Sequence, residues 1–225
     1  IINAGTTLRL ARGVSIFARG KVTVDGSSDA PVTIRPLDPA EPFGVFAILG
    51  NAADGSRISF LDIAEGSIAT VDNFVLSGMF SVRGVPNITI DHSRFGRNFV
   101  GDDCVHILGS GAQVKDSVFT DSLSDAMDWD QVTGSVTSTK FLRCGNDCVD
   151  VSMSDAVLTD YTAAGCGDKC ISVGEGSVLR ADRAELSGGM IGVAVKDSSE
   201  ALLSDSTIHD CNVGMATYMK KWRWG

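Results

Sequence analysis

Aspartates recur at steps of 22 residues in this chain: Asp103, Asp125 and Asp147, followed at the same step by Lys169. Three residues further on, a second series runs His106, Asp128, Asp150 and Ser172, with Asp130 two residues beyond Asp128. Carboxylates, an imidazole and an amine held close together can give, take or share protons, and paired carboxylates are the usual tools of glycoside chemistry. These seven ionisable positions (Asp103, His106, Asp125, Asp128, Asp147, Asp150 and Lys169) are the candidate catalytic residues. Asp103, Asp125 and Asp147 also make an oxygen-rich set of the kind Ca²⁺ takes, in which His106 would sit poorly. Ca²⁺ is the one cofactor suggested.

The series matter only if the fold stacks them. Six segments align at the 22-residue step, beginning at Asp103, Asp125, Asp147, Lys169, Ile191 and Val213. One column holds Val105, Met127, Val149, Ile171, Val193 and Met215, and another holds Ile107, Trp129, Val151, Val173, Val195 and Thr217. His106, Asp128, Asp150, Ser172, Ala194 and Ala216 lie between them. An apolar, mixed, apolar pattern is that of a strand with one buried face. Strands this short share a core only when stacked in parallel, so the expected fold is all-β, a right-handed parallel β-helix of about 22 residues per coil.

Stacking turns columns into rows on a wall. Neighbouring carboxylates ~5 Å apart repel by roughly 3 kcal/mol at an effective dielectric near 20. Lys169, a cation or a bound proton must relieve that. Two readings of the Asp103 row stay open, because a corner Asp also caps backbone amides of the next coil. Asp102, Ser124, Asn146, Asp168 and Asn212, in the adjacent column, are expected to do so. His106, Asp128 and Asp150 sit mid-strand with no corner to satisfy, which favours function. Asp130 shares a column with Lys196 and Tyr218, and these three with Ser172 are the candidate substrate-binding residues.

The whole chain, 1–225, reads as one β-helix domain: irregular coils over 1–100, regular coils over 101–219 and a cap over 220–225. Short alternating runs such as 7–10, 14–17, 22–24 and 32–34 supply the early strands, and 112–115, 135–138 and 177–180 fill the spaces between later ones. Residues 36–44 read as a projecting loop. The tail from Lys220 to Gly225, with two Trp among three bases, reads as a lid over the last coil or as a platform for a sugar ring. Trp129 falls in a core column. Cys144 and Cys166 are 22 apart, as are Cys148 and Cys170. Each pair reads either as a same-column disulfide or as free thiols filling a crowded position.

Composition narrows the partners. The net charge is −9, and residues 101–160 hold eleven Asp against Lys115, Lys140 and Arg143. Nucleic acid needs clustered bases and is excluded as a partner. The longest apolar run, 45–49, is far too short to span a bilayer. The chain opens at Ile1 rather than Met, as a mature or excised piece would. Its oligomeric state is not readable.

The segment Gly101-Asp102-Asp103-Cys104-Val105-His106-Ile107 resembles the Gly-Asp-Asp-Cys segment of the polygalacturonases, parallel β-helices whose paired Asp are catalytic. That likeness is confined to the segment, since the family's Asn-Thr-Asp, Gly-His-Gly and Arg-Ile-Lys have no counterpart. The mannuronan epimerase signature is also absent. A likeness along almost the whole chain is to bacterial right-handed β-helix repeat proteins of the pectate-lyase-like superfamily. It is carried by residues 4–8, 13–16, Gly145 to Asp150, Gly167 to Gly174 and the tail. That resemblance implies a secreted, periplasmic or cell-surface protein and no particular reaction. The expected function is to bind or modify a polysaccharide as a lyase, epimerase or hydrolase, and the alternative is a non-catalytic surface scaffold.

Overall fold

A computed structural model of the chain describes residues 1–224. Its strands form three sheets of nine, each coil contributing one strand to each sheet, and every pairing within these sheets is parallel. The chain is a parallel β-helix. The third sheet carries the acidic rows. Its strands are Ile16–Ala18, Phe46–Leu49, Gly78–Arg83, Asp103–Leu108, Asp125–Asp130, Val149–Ser152, Lys169–Gly174, Ile191–Lys196 and Val213–Tyr218. His106 pairs in register with Asp128, Asp128 with Asp150, Asp150 with Ser172, and Ser172 with Ala194. The 22-residue step therefore puts the mid-strand series in one vertical row.

The second sheet, which includes Val118–Thr120, Lys140–Cys144 and Thr162–Cys166, has too few alternating positions per strand to stand out in the sequence. Its inward column is nevertheless the aromatic spine of the core. Phe95 stacks on Phe119 at 4.8 Å between centroids and Phe119 on Phe141 at 4.4 Å; the column continues in Ala163, and Tyr161, from the corner before that strand, lies against Phe141 at 5.2 Å. Between the first sheet, which includes Gly111–Lys115, Thr133–Thr137 and Asp155–Thr159, and the second, the chain turns on a left-handed residue, among them Asp116, Ser138 and Asp160. Short polar side chains tolerate that conformation. The hydroxyl that follows the turn accepts the amide of the coil before it: Ser117 takes the Ser93 N–H at 3.1 Å. Buried corners thus keep their backbone groups paired.

The cysteines pair diagonally, Cys148 with Cys166, at 5.7 Å between Cα atoms, leaving Cys144 and Cys170 as buried thiols. Neither same-column pair forms. Residues in one column of a parallel stack project in the same direction, whereas Cys166 ends a second-sheet strand and Cys148 leads into a third-sheet strand, so the two meet across a corner. The bridge closes an 18-residue span. Replacing both Cys148 and Cys166 by serine is expected to cost about 3 kcal/mol in urea unfolding, by release of chain entropy in the unfolded state. An unchanged midpoint would mean the bridge constrains nothing.

Two segments flank the outer face of the third sheet, one at each end of the acidic rows, and the strip between them is the window. Upstream, Ala69–Val71 and Phe74–Leu76 form an antiparallel hairpin whose turn residues Asp72 and Asn73 are both left-handed, as a type I′ turn requires. Its Leu76 packs with Val45, Ala47 and Leu49 in a small cluster separate from the main core, and Arg83 lies over the Phe74 ring at 4.2 Å. Downstream, residues 220–224 turn back along the side of the solenoid. Asp197 Oδ1 accepts the amides of Lys220 and Lys221 at 2.6 Å each, Lys221 pairs with Glu175, and the Ser198 hydroxyl bonds the Trp224 carbonyl. The last coil stays open, with the core-column residue Met215 51% exposed. Gly225 lies outside the described residues.

Candidate functional site

The window is floored by the third-sheet rows, and the two rows behave differently. Asp103, Asp125, Asp147 and Lys169 stand at the leading corner and are all buried. Asp125 Oδ1 accepts the Asn146 side chain at 2.7 Å and the Asp147 amide at 2.8 Å. One coil on, Asp147 Oδ1 accepts the Lys169 amide at 3.0 Å and its ammonium at 3.3 Å. These two aspartates cap the backbone of the next coil, which the corner chemistry permits.

Burial holds their carboxyls above the ordinary range. Asp125 is pushed up to about 7, by desolvation first and then by the Asp147 charge. Asp147 is raised by desolvation and held back by the Lys169 ammonium. Asp103 is pushed up to about 6 by desolvation, against a hydrogen bond from Ser77 and the nearby His106.

Asp103 departs from its row because of what precedes it. Asn98, fully buried, donates to the Asp103 carbonyl at 3.2 Å and accepts the Leu123 amide at 2.9 Å, which locks the corner. The Ser77 hydroxyl donates to Asp103 Oδ2, and it also lies 2.9 Å from His106 Nδ1. With the Ser77 proton on the bond to Asp103, the Nδ1–H is the donor in the second bond. His106 Nε2 then faces Asp130 Oδ2 at 3.3 Å and Asp128 Oδ2 at 4.0 Å. A ring nitrogen between two carboxylates needs a proton, carried by the ring or by an acid. Desolvation, followed by the charges of Asp103, Asp130 and Asp150, raises Asp128 well above the usual carboxylate range.

The structure therefore brings together Asp103, His106, Asp128 and Asp130, joined by Ser77. Ser77 escaped the sequence reading because its coil is longer: Gly78 pairs with Asp103 at a step of 25 residues, off the 22-residue comb. Aligning Gly78–Arg83 on Asp103–Leu108 at that step would have found it. Donor atoms of His106, Asp128 and Asp130 lie within 4.8 Å of one another, as do those of Asp125, Asp147 and Asp150. The second trio is all oxygen, the type of set that suits Ca²⁺. Asp103 belongs to neither trio.

Lower in the window, Ser172 is fully buried and Lys196 is 4% exposed. Lys196 Nζ reaches back over Gly174 to within 3.9 Å of Asp150 Oδ1. Tyr218, paired in register with Lys196, stands on the last coil. Its row lies four steps below that of Asp130, about 19 Å away at ~4.8 Å per step. Tyr218 and His106 therefore do not share one sugar ring.

No family model matches the chain, and no curated protein matches it in sequence. Solved structures do. The full-length tailspike protein 2 of Escherichia coli O157:H7 bacteriophage CAB120 aligns with a TM-score of 0.60 at 12% identity, over 92% of this chain and 34% of that one. The likeness is one of fold. The Agl-KA catalytic domain aligns at 0.44 and 9% identity, over 97% of this chain and 62% of that one. An alginate lyase from Paenibacillus sp. str. FPU-7 aligns at 0.29 and 11% identity, over 96% and 91%. This chain spans about a third of the tailspike. No helix of the described residues is long and apolar enough to cross a membrane.

Proposed function

We propose that this chain is an extracytoplasmic β-helix that binds a polysaccharide in the window of the third sheet and modifies it by proton transfer. The observation that carries the reading is the clamped imidazole: His106 is fixed at Nδ1 by Ser77 and Asp103, with Nε2 presented to Asp130 and Asp128 on an open face. Asp128, kept protonated by its surroundings, serves as the general acid toward a leaving sugar oxygen. Asp130 and His106 serve as the base that takes a proton from an attacking water, so the glycosidic C–O bond breaks as a C–O bond to water forms. Asp125, Asp147 and Lys169 hold the floor in place and do not touch substrate. The acidic floor repels uronate chains, so the substrate class is a neutral or amino-sugar polysaccharide.

Binding and product formation on a panel of such glycans, with and without Ca²⁺, test this. The Ca²⁺ arm asks whether Asp125, Asp147 and Asp150 take a cation in place of protons. His106→Ala and Asp128→Asn are each expected to lower turnover roughly a hundredfold with the melting temperature unchanged. Glycan binding without any product, equal in wild type and both variants, would leave a scaffold and remove the chemistry.

A further inference from the structure

Two buried polar atoms on neighbouring coils of the third sheet have no hydrogen-bond partner: Asp150 Oδ1 and Ser172 Oγ, whose residues pair in register. Lys196 belongs with them, since its ammonium makes no hydrogen bond and only the 3.9 Å approach to Asp150. A buried polar group left unpaired costs about 1–3 kcal/mol, so two such groups side by side, with an ammonium at 3.9 Å, call for a partner. Their types are complementary to one kind of group. Lys196 donates, Asp150 accepts, and Ser172 does either. A hydroxyl donates and accepts at once.

The segment 220–224 borders these atoms and is held by charge. Lys221 pairs with Glu175, whose other oxygen accepts the Ser152 hydroxyl at 2.6 Å. Ser152 is the register partner of Asp130, so the segment ends where the window opens. The Trp224 ring rests over Gly176, where a β-carbon would lie 3.6 Å from it. Gly174 leaves the slot through which the Lys196 stem passes. Gly176 is an extra residue in this coil: Glu175 keeps the 22-residue step from Met153, whereas Asp155 and Val178 pair at a step of 23. The insertion supplies the glycine on which the Trp224 ring rests.

We infer that Asp150, Ser172 and Lys196 form a second subsite that recognises sugar hydroxyls, roofed by residues 220–224, which a bound chain lifts away. The subsite rests on the proposed reading of the third sheet as the glycan face. It makes the roof an internal competitor, so apparent affinity falls by the fraction of molecules in which the roof is closed.

The test uses titration calorimetry with cellohexaose and chitohexaose on wild type, Trp224→Ala, Glu175→Gln and Ser172→Ala combined with Lys196→Met. Trp224→Ala and Glu175→Gln are expected to bind about tenfold more tightly than wild type. Adding the Ser172 and Lys196 changes to either is expected to abolish the gain, while His106→Ala leaves it. Acrylamide quenching in a Trp222→Phe background follows the roof without any sugar, and Glu175→Gln is expected to expose Trp224. Equal binding by wild type and the roof variants overturns the subsite and leaves the proposed function standing. Binding by the roof variants without turnover in any form does the reverse. An unaltered quenching curve in Glu175→Gln shows that the anchor is wrong and overturns the roof.

Discussion

Asp125→Asn is expected to raise the melting temperature at pH 8 by roughly 10 °C. The carboxyl of Asp125 titrates near 7 in the fold, because it is buried and faces Asp147, whereas an unfolded aspartate titrates near 3.9. A group raised on folding contributes its stability in full below the unfolded value and loses it as pH climbs through the folded one. The loss spans pH ~4 to ~7 and amounts to about 4 kcal/mol by pH 8. Asparagine keeps the oxygen that accepts the Asp147 amide and the Asn146 side chain, and it removes the charge. Melting curves of both proteins from pH 4 to 8 check this: the wild type should lose stability as pH rises, and the variant should lose less. A variant less stable than wild type at pH 8 would show that the ionised carboxylate holds the corner. Asp103 follows the same direction with its value near 6, so the chain as a whole is expected to gain stability on mild acidification.

Phe119→Ala is expected to destabilise the chain by about 3–5 kcal/mol. The ring is fully buried and stacked on both sides, against Phe95 at an interplanar angle of 18° and Phe141 at 12°. Removing it leaves a void that the neighbouring coils cannot close, since their spacing is set by backbone ladders. Stacked aromatic pairs add about 0.5–1.5 kcal/mol beyond area burial. Urea unfolding measures the loss, and Phe119→Leu should recover part of it. A cost below 1 kcal/mol would mean the spine is not where the core is held.

The architecture was readable because one comb of residues spans half the chain. Val105 to Met215 and Ile107 to Thr217 define the buried columns, and the register of His106, Asp128, Asp150 and Ser172 follows from them. The features that missed the comb were invisible for a common reason. Ser77 precedes a longer coil, the hairpin at 69–76 is an insertion, and Gly176 is a one-residue excess taken back before Ile191. The Cys148–Cys166 bridge failed for a different reason: column arithmetic gives height along the solenoid and not the direction in which a side chain points. The approach of Lys196 to Asp150 crosses two coils through the gap at Gly174, a contact that no pairwise repeat announces.

In the regular part of the solenoid every ladder joins positions 22 or 23 residues apart. A chain leaving the ribosome can therefore lay each turn on the finished edge of the one before it, with no need to wait for remote sequence. The hazard of such templating is a slip by one whole turn, because successive turns look alike to the edge that receives them. The diagonal cysteine bridge and the extra Gly176 mark individual turns, and so act as counters that keep the winding in step.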